Sequence, residues 1–118
     1  MSKTISFQSK YDLETRKKES ERIKSKYPNK LPVIIEKHKS CRIDAIEKSK
    51  FLVPEELTIA QLLVIIRKRL SLDPTQAIYL FTDNILPPTT QTISSLYSQC
   101  KNEDGFLYLK YCNENVFG

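Results

Sequence analysis

Apolar residues change their spacing several times along this chain, and each change marks an element. From Asp12 to Lys26 good helix formers run without Gly or Pro, and Leu13, Ile23 and Tyr27 are almost the only apolar positions. That pattern predicts a helix lying on the outside of a core built by later residues. Tyr27-Pro28 ends it, because the residue before a proline is pushed out of the α region. Leu31-Pro32-Val33-Ile34-Ile35-Glu36 is a continuous β-branched run and reads as a strand buried on both faces, with Pro32 near its beginning. Lys37 to Glu47 reads as a polar connection making a tight or hairpin-type return. Lys48-Ser49-Lys50-Phe51-Leu52-Val53-Pro54 then predicts a short second strand that Pro54 stops, its lysines suited to a sheet edge.

Thr58-Ile59-Ala60-Gln61 is a capping-box start, in which hydroxyl and amide side chains satisfy backbone donors reciprocally. The helix it opens should run to about Leu70. At about 100° per residue, Ile59, Leu62, Leu63, Ile66 and Leu70 form one stripe, which Ile65 widens to roughly 160°. So wide a stripe means a sandwiched helix or one whose flank, Leu62 and Ile65, is left open to receive something apolar. Asp73-Pro74 opens a turn, Ala77 to Thr82 reads as a third strand, and Asn84 with Pro87-Pro88 as another turn. Thr92 or Ser94 caps a helix carrying Ile93, Leu96, Tyr97 and Cys100, and Gly105 releases the chain into a final strand, Phe106 to Tyr111.

Two strands, a helix crossing them, and a last strand after long connections is the order of an α+β, β-grasp (ubiquitin-like) fold: a mixed sheet wrapped on one helix. The last strand must insert into the middle of the sheet if the core is to close. The expected organisation is an N-terminal helical extension over 1–29, a β-grasp core over 30–112 and a tail over 113–118.

Charge separates the extension from the core. Residues 1–30 hold nine Lys/Arg against four Asp/Glu, so the whole formal charge of +5 resides there and the remainder balances at ten against ten. A basic segment on a neutral body faces an acidic or phosphate-bearing surface, or is simply a solvated helix face. Only two glycines occur, Gly105 and Gly118. The second follows Val116 and Phe117, and a bare glycine carboxylate threads a narrow enzyme tunnel at little steric cost. Three cysteines, Cys41, Cys100 and Cys112, are odd in number and show neither a CxxC nor metal-ligand spacing with histidine, which fits a reducing, cytosolic-type environment and neither metal nor cofactor. No apolar run is long enough to span a membrane. An enzyme reading is poor: the single histidine, His38, lies with Cys41 in a polar segment and reads as an exposed loop pair rather than a nucleophilic dyad, and no Gly-rich phosphate loop is present.

Several strings in one register resemble one family, the autophagy ubiquitin-like modifiers that include GABARAP and the microtubule-associated light chains. They are Lys26-Tyr27-Pro28, Leu31-Pro32-Val33-Ile34, Phe51-Leu52-Val53-Pro54, Ile66-Arg67-Lys68-Arg69, Asn84-Ile85-Leu86-Pro87-Pro88-Thr89, Leu96-Tyr97, Glu103-Asp104-Gly105-Phe106-Leu107-Tyr108 and Phe117-Gly118. The resemblance implies a ubiquitin-like core behind two extra N-terminal helices, the first beginning near Ser6.

It also implies a function. The Gly118 carboxylate would be adenylated with ATP by an activating enzyme, passed as a thioester to a conjugating enzyme, and joined by an amide bond to phosphatidylethanolamine of an autophagosome or other intracellular membrane. A deconjugating cysteine protease would reverse the step, and the free form would be cytoplasmic. Two acyl chains hold a protein stably where one does so only marginally. Phe117 stands where ubiquitin has its penultimate glycine, which argues against ubiquitin's own activating machinery.

The resemblance further implies binding of receptors and adaptors that carry an aromatic residue and, three positions on, an aliphatic one. The aromatic pocket would be Glu19, Ile23, Pro32, Lys50, Leu52 and Phe106. The aliphatic pocket would be Phe51, Val53, Pro54, Leu57, Leu62 and Ile65, with Lys30 and Lys48 attracting acids that flank the motif. The alternative class is a basic adaptor associated with microtubules or nucleic acid without lipidation. Specific nucleic-acid binding is disfavoured, because no aromatic-interleaved RNA motif is present.

Overall fold

The computed structural model describes residues 5–83 and 85–116. Helix α1 (Phe7–Lys10) is capped by the Ser6 hydroxyl, and α2 (Leu13–Lys26) by the Asp12 carboxylate, which accepts the Thr15 N–H at 2.8 Å. Strands β1 (Lys30–Lys37) and β2 (Lys50–Pro54) follow, then α3 (Ile59–Leu70), β3 (Tyr79–Phe81), α4 (Ile93–Cys100) and β4 (Leu107–Cys112). The capping box at Thr58 and Gln61 is formed, and Thr92 caps α4.

The sheet order is β2-β1-β4-β3. β1 pairs antiparallel with β2 and parallel with β4, and β3 pairs antiparallel with β4, so the sheet is mixed and the last strand is an inner one. Register on the parallel side begins at Val33, one residue past Pro32, so the proline's missing N–H falls outside that ladder. This is the α+β, ubiquitin-like architecture with two N-terminal helices in front of it.

Side chains of β1 alternate between two clusters, as a pleated strand buried on both faces must. Val33 and Ile35 join Leu62, Ile66, Leu96, Leu107, Leu109 and Tyr111 in the main core beneath α3 and α4. Ile34 turns the other way and meets Ile23 of α2 and Phe106. The Phe7 ring closes this smaller cluster, standing edge-on to Phe106 with centroids 5.0 Å apart.

One connection departs from the sequence reading. Residues 38–49 form a long strap rather than a tight polar return, and Cys41 is buried rather than exposed. The cause is Tyr111, buried on β4: its hydroxyl donates to the Asp44 carbonyl at 2.7 Å and accepts the Ile46 N–H at 2.8 Å. That anchor draws Ile43 and Ile46 against the core.

Candidate functional site

β2 is the edge strand beside β1, and its far side pairs with no strand among the described residues. Alternation along it sends Lys50 and Leu52 towards α2, while Phe51 and Val53 point into the main core beneath α3. The residues expected in the two pockets therefore fall on opposite sides of one strand.

On the α2 side, Ile23 and Phe106 are wholly buried, Pro32 is buried beside them, and Leu52 is half-exposed. Above them Glu19 binds both Arg22, at 2.8 Å, and Lys50 across from β2. The Arg22 bond first, and then Lys50, holds the Glu19 carboxyl down to about 2 against the partial burial that opposes it. Ile23, Pro32 and Phe106 thus form a buried apolar floor that Leu52 carries to the surface, and the Glu19–Lys50 ion pair links α2 to β2 on the same side of the sheet. Beside this pair opens a cleft of about 390 Å³ lined by Phe7, Tyr11, Thr15, Arg16, Lys18, Glu19, Arg22 and Lys50.

On the α3 side, Phe51, Val53 and Leu62 are core residues, exposed by 7%, 3% and 0%. Pro54 and Leu57 reach the surface, and Ile65 is exposed on the flank of α3. The Arg69 guanidinium lies 5.0 Å over the Phe51 ring. Lys48 precedes β2 at the end where Lys50 stands opposite Ile34, whereas Lys30 lies at the other end, opposite Pro54. The two exposed lysines are therefore not brought together; they flank the strand pair from either end.

Sequence reasoning missed several participants. Phe7 and Tyr11 of the first turn and its cap wall the cleft, and their rings pack 5.1 Å apart. The Glu19/Arg22 spacing of three residues was the available signal for the second arm of the ion pair. The basic segment proves partly internal in use: the Arg16 guanidinium binds the Asp104 carboxylate at 2.5 Å, and Asp104 is buried. Gly118 and Phe117 lie outside the described residues. Their approach is visible as far as Val116, which packs against the main core after β4 ends. Among the described residues no cluster of His, Cys, Asp and Glu could hold a metal, and no helix is long and apolar enough to cross a membrane.

The comparisons with known proteins agree on one group. A family model described as "Autophagy protein Atg8 ubiquitin like" matches residues 15–118. Autophagy-related protein 8 of Schizosaccharomyces pombe is 50% identical over 112 residues, 95% of this chain and 93% of that protein. Autophagy-related protein 8e of Arabidopsis thaliana is 48% identical over 118 residues, covering 100% of this chain and 97% of its own. The crystal structure of Trypanosoma brucei ATG8 superposes with a TM-score of 0.90 at 34% identity, covering 98% of this chain and 100% of the other.

Proposed function

The chain belongs to the Atg8 family of autophagy ubiquitin-like proteins, and on that premise we propose that it is a lipid-conjugated modifier that displays a peptide-docking edge. The observation that carries the docking half is β2: an edge strand without an outer partner among the described residues, with a largely buried apolar floor on one side and Pro54, Leu57 and Ile65 reaching the surface on the other. A receptor segment adds to this edge as an extra strand through main-chain hydrogen bonds. Its side chains alternate between faces, so an aromatic residue reaches the floor of Ile23, Pro32, Leu52 and Phe106 by displacing Lys50 from Glu19. An aliphatic residue three positions on settles against Pro54, Leu57 and Ile65, above Phe51, Val53 and Leu62. Lys48 and Lys30 meet acids at the two ends.

The conjugation half rests on family membership and on the inner position of β4, which gives the segment after Cys112 a rigid root. An activating enzyme adenylates the Gly118 carboxyl, a conjugating enzyme receives it as a thioester, and the phosphatidylethanolamine amine displaces the thiol to form the amide. A cysteine protease hydrolyses that amide. All of that chemistry belongs to the partners; this chain contributes the tail and the recognition surface. The free form is cytoplasmic and the lipidated form sits on an autophagosome or related membrane.

The test separates the halves. With the family's activating and conjugating enzymes and phosphatidylethanolamine vesicles, Gly118→Ala is expected to give no lipidated band. Leu52→Ala is expected to conjugate normally yet weaken an aromatic-x-x-aliphatic peptide at least about tenfold by calorimetry, about 1.4 kcal/mol. Lipidation of Gly118→Ala at the normal rate refutes the tail assignment, and unchanged affinity for Leu52→Ala refutes the pocket.

A further inference from the structure

Two cysteines that are remote in sequence meet in the fold. Cys41 lies in the strap of residues 38–49, and Cys112 is the last residue of β4, immediately before the tail. The strap is fastened to that strand end at several points: His38 N–H donates to the Tyr111 carbonyl at 2.9 Å, Arg42 N–H to Asn113 Oδ1 at 3.3 Å, and Ile46 N–H to the Tyr111 hydroxyl. Both cysteines belong to the main core, with exposures of 7% and 0%, and the strap beside Cys41 shares an acceptor with Cys112: the Asn113 Oδ1 that takes the Arg42 N–H lies 3.7 Å from the Cys112 Sγ. The third cysteine, Cys100, is half-buried at the end of α4.

We propose that Cys41 and Cys112 are a modification site, a dithiol that closes to an intramolecular disulfide when the chain meets a thiol oxidant such as glutathione disulfide. Cys41 is the entry point, because it rides on a strap whose neighbours Arg42 and Ser40 are exposed, whereas Cys112 is held in a central strand. When the strap opens, the Cys41 thiolate attacks one sulfur of glutathione disulfide and expels a glutathione thiolate. Cys112 then attacks the Cys41 sulfur of the mixed disulfide and expels the second glutathione. The chain loses two protons and two electrons, and the oxidant leaves as two molecules of reduced glutathione. Burial pushes the Cys41 thiol up, so little thiolate is present while the strap is closed and attack on the oxidant is slow. Pairs of this kind in reducing compartments act as transient redox sensors rather than permanent staples. Closure here covalently ties the strap to the residue from which the tail departs.

The experiment equilibrates the full chain in glutathione buffers of graded redox ratio, traps thiols by alkylation and reads intact mass. The expected product has lost two hydrogens, retains one alkylatable thiol, and yields a proteolytic fragment joining residues 41 and 112. Cys100→Ala should form the same bond with no thiol left, and Cys41→Ala should form none. The oxidised form should melt about 5–10 °C higher, reversibly with dithiothreitol, because a long loop is closed in its unfolded state. Three alkylatable thiols at every ratio, a glutathione adduct on Cys41 that never closes, or a bond that includes Cys100 would each overturn the assignment.

Discussion

One buried carboxylate fastens the N-terminal extension to the sheet. Asp104 accepts the Arg16 guanidinium and the Tyr108 hydroxyl, each at 2.5 Å, and the Phe106 N–H at 2.8 Å; its carbonyl accepts the Ser20 hydroxyl. Every oxygen of the residue's side chain is thereby used, which is the condition under which a buried charge is tolerated. Burial first, and Asp104 second, push the Tyr108 phenol well above its ordinary range, so it remains a donor at any physiological pH. The neighbouring Gly105 is needed for the same contact: its φ is +90°, and a Cβ there would stand 2.4 Å from Ser20 Oγ. Asp104→Asn keeps the shape but turns an acceptor into a donor that faces other donors and leaves Arg16 uncompensated. Urea titration is expected to show a loss of about 3–5 kcal/mol, and a loss below about 1 kcal/mol would mean that the clasp contributes little.

At the scale of elements, α2 and β2 are joined across the candidate groove by Glu19, and that link is pH-dependent. The Glu19 pKa is depressed from 4.5 to about 2, so the stabilisation is fully present above 4.5 and is lost as pH falls towards 2. Because the pair is partly exposed, screening limits it to about 1 kcal/mol. Glu19→Gln should therefore be less stable than the parent by about that amount near neutral pH, and the gap should close in urea titrations stepped down to pH 2. A gap that persisted there would assign the effect to packing instead. Much of this architecture was legible in the sequence. The run from Leu31 to Glu36 announced a strand buried on both faces, Thr58-Ile59-Ala60-Gln61 announced the start of α3, and the isolated last strand had to lie inside the sheet. The strap of residues 38–49 was not legible, because its burial depends on a hydroxyl from Tyr111, far away in sequence, and local polarity carries no trace of such a partner. The candidate groove was legible only in part. The alternation of Lys50 to Val53 named its walls, but which residues would be floor and which rim was decided by packing: Phe51, expected in a pocket, is core at 7% exposure, and truncating it would test stability more than docking.

For the whole molecule, the consequence of a sheet covered on both faces is that its two cores differ greatly in weight. The cluster under α3 and α4 draws on β1, β2, β3 and β4 together, whereas the cluster under α2 is built, among the described residues, on Ile23, Ile34 and Phe106, with Phe7, Tyr27, Leu52 and Tyr108 around them. Removing residues 1–29 takes away Ile23, Phe7, Tyr27 and the Arg16 clasp, but it leaves every strand and the main cluster in place. What is newly wetted is chiefly Ile34 and Phe106, at about 1.5–3 kcal/mol each, so the shortened chain should lose about 3–6 kcal/mol. It should still unfold in one cooperative step and keep its strand signal in circular dichroism, while newly binding an apolar dye at the exposed face. Loss of all fixed structure would mean instead that the helices are part of one indivisible fold. The extension would then be no separable cover, and the aromatic-side floor, built from Ile23 of the extension and Pro32, Leu52 and Phe106 of the sheet, could not open at the α2–β2 boundary without unfolding the protein.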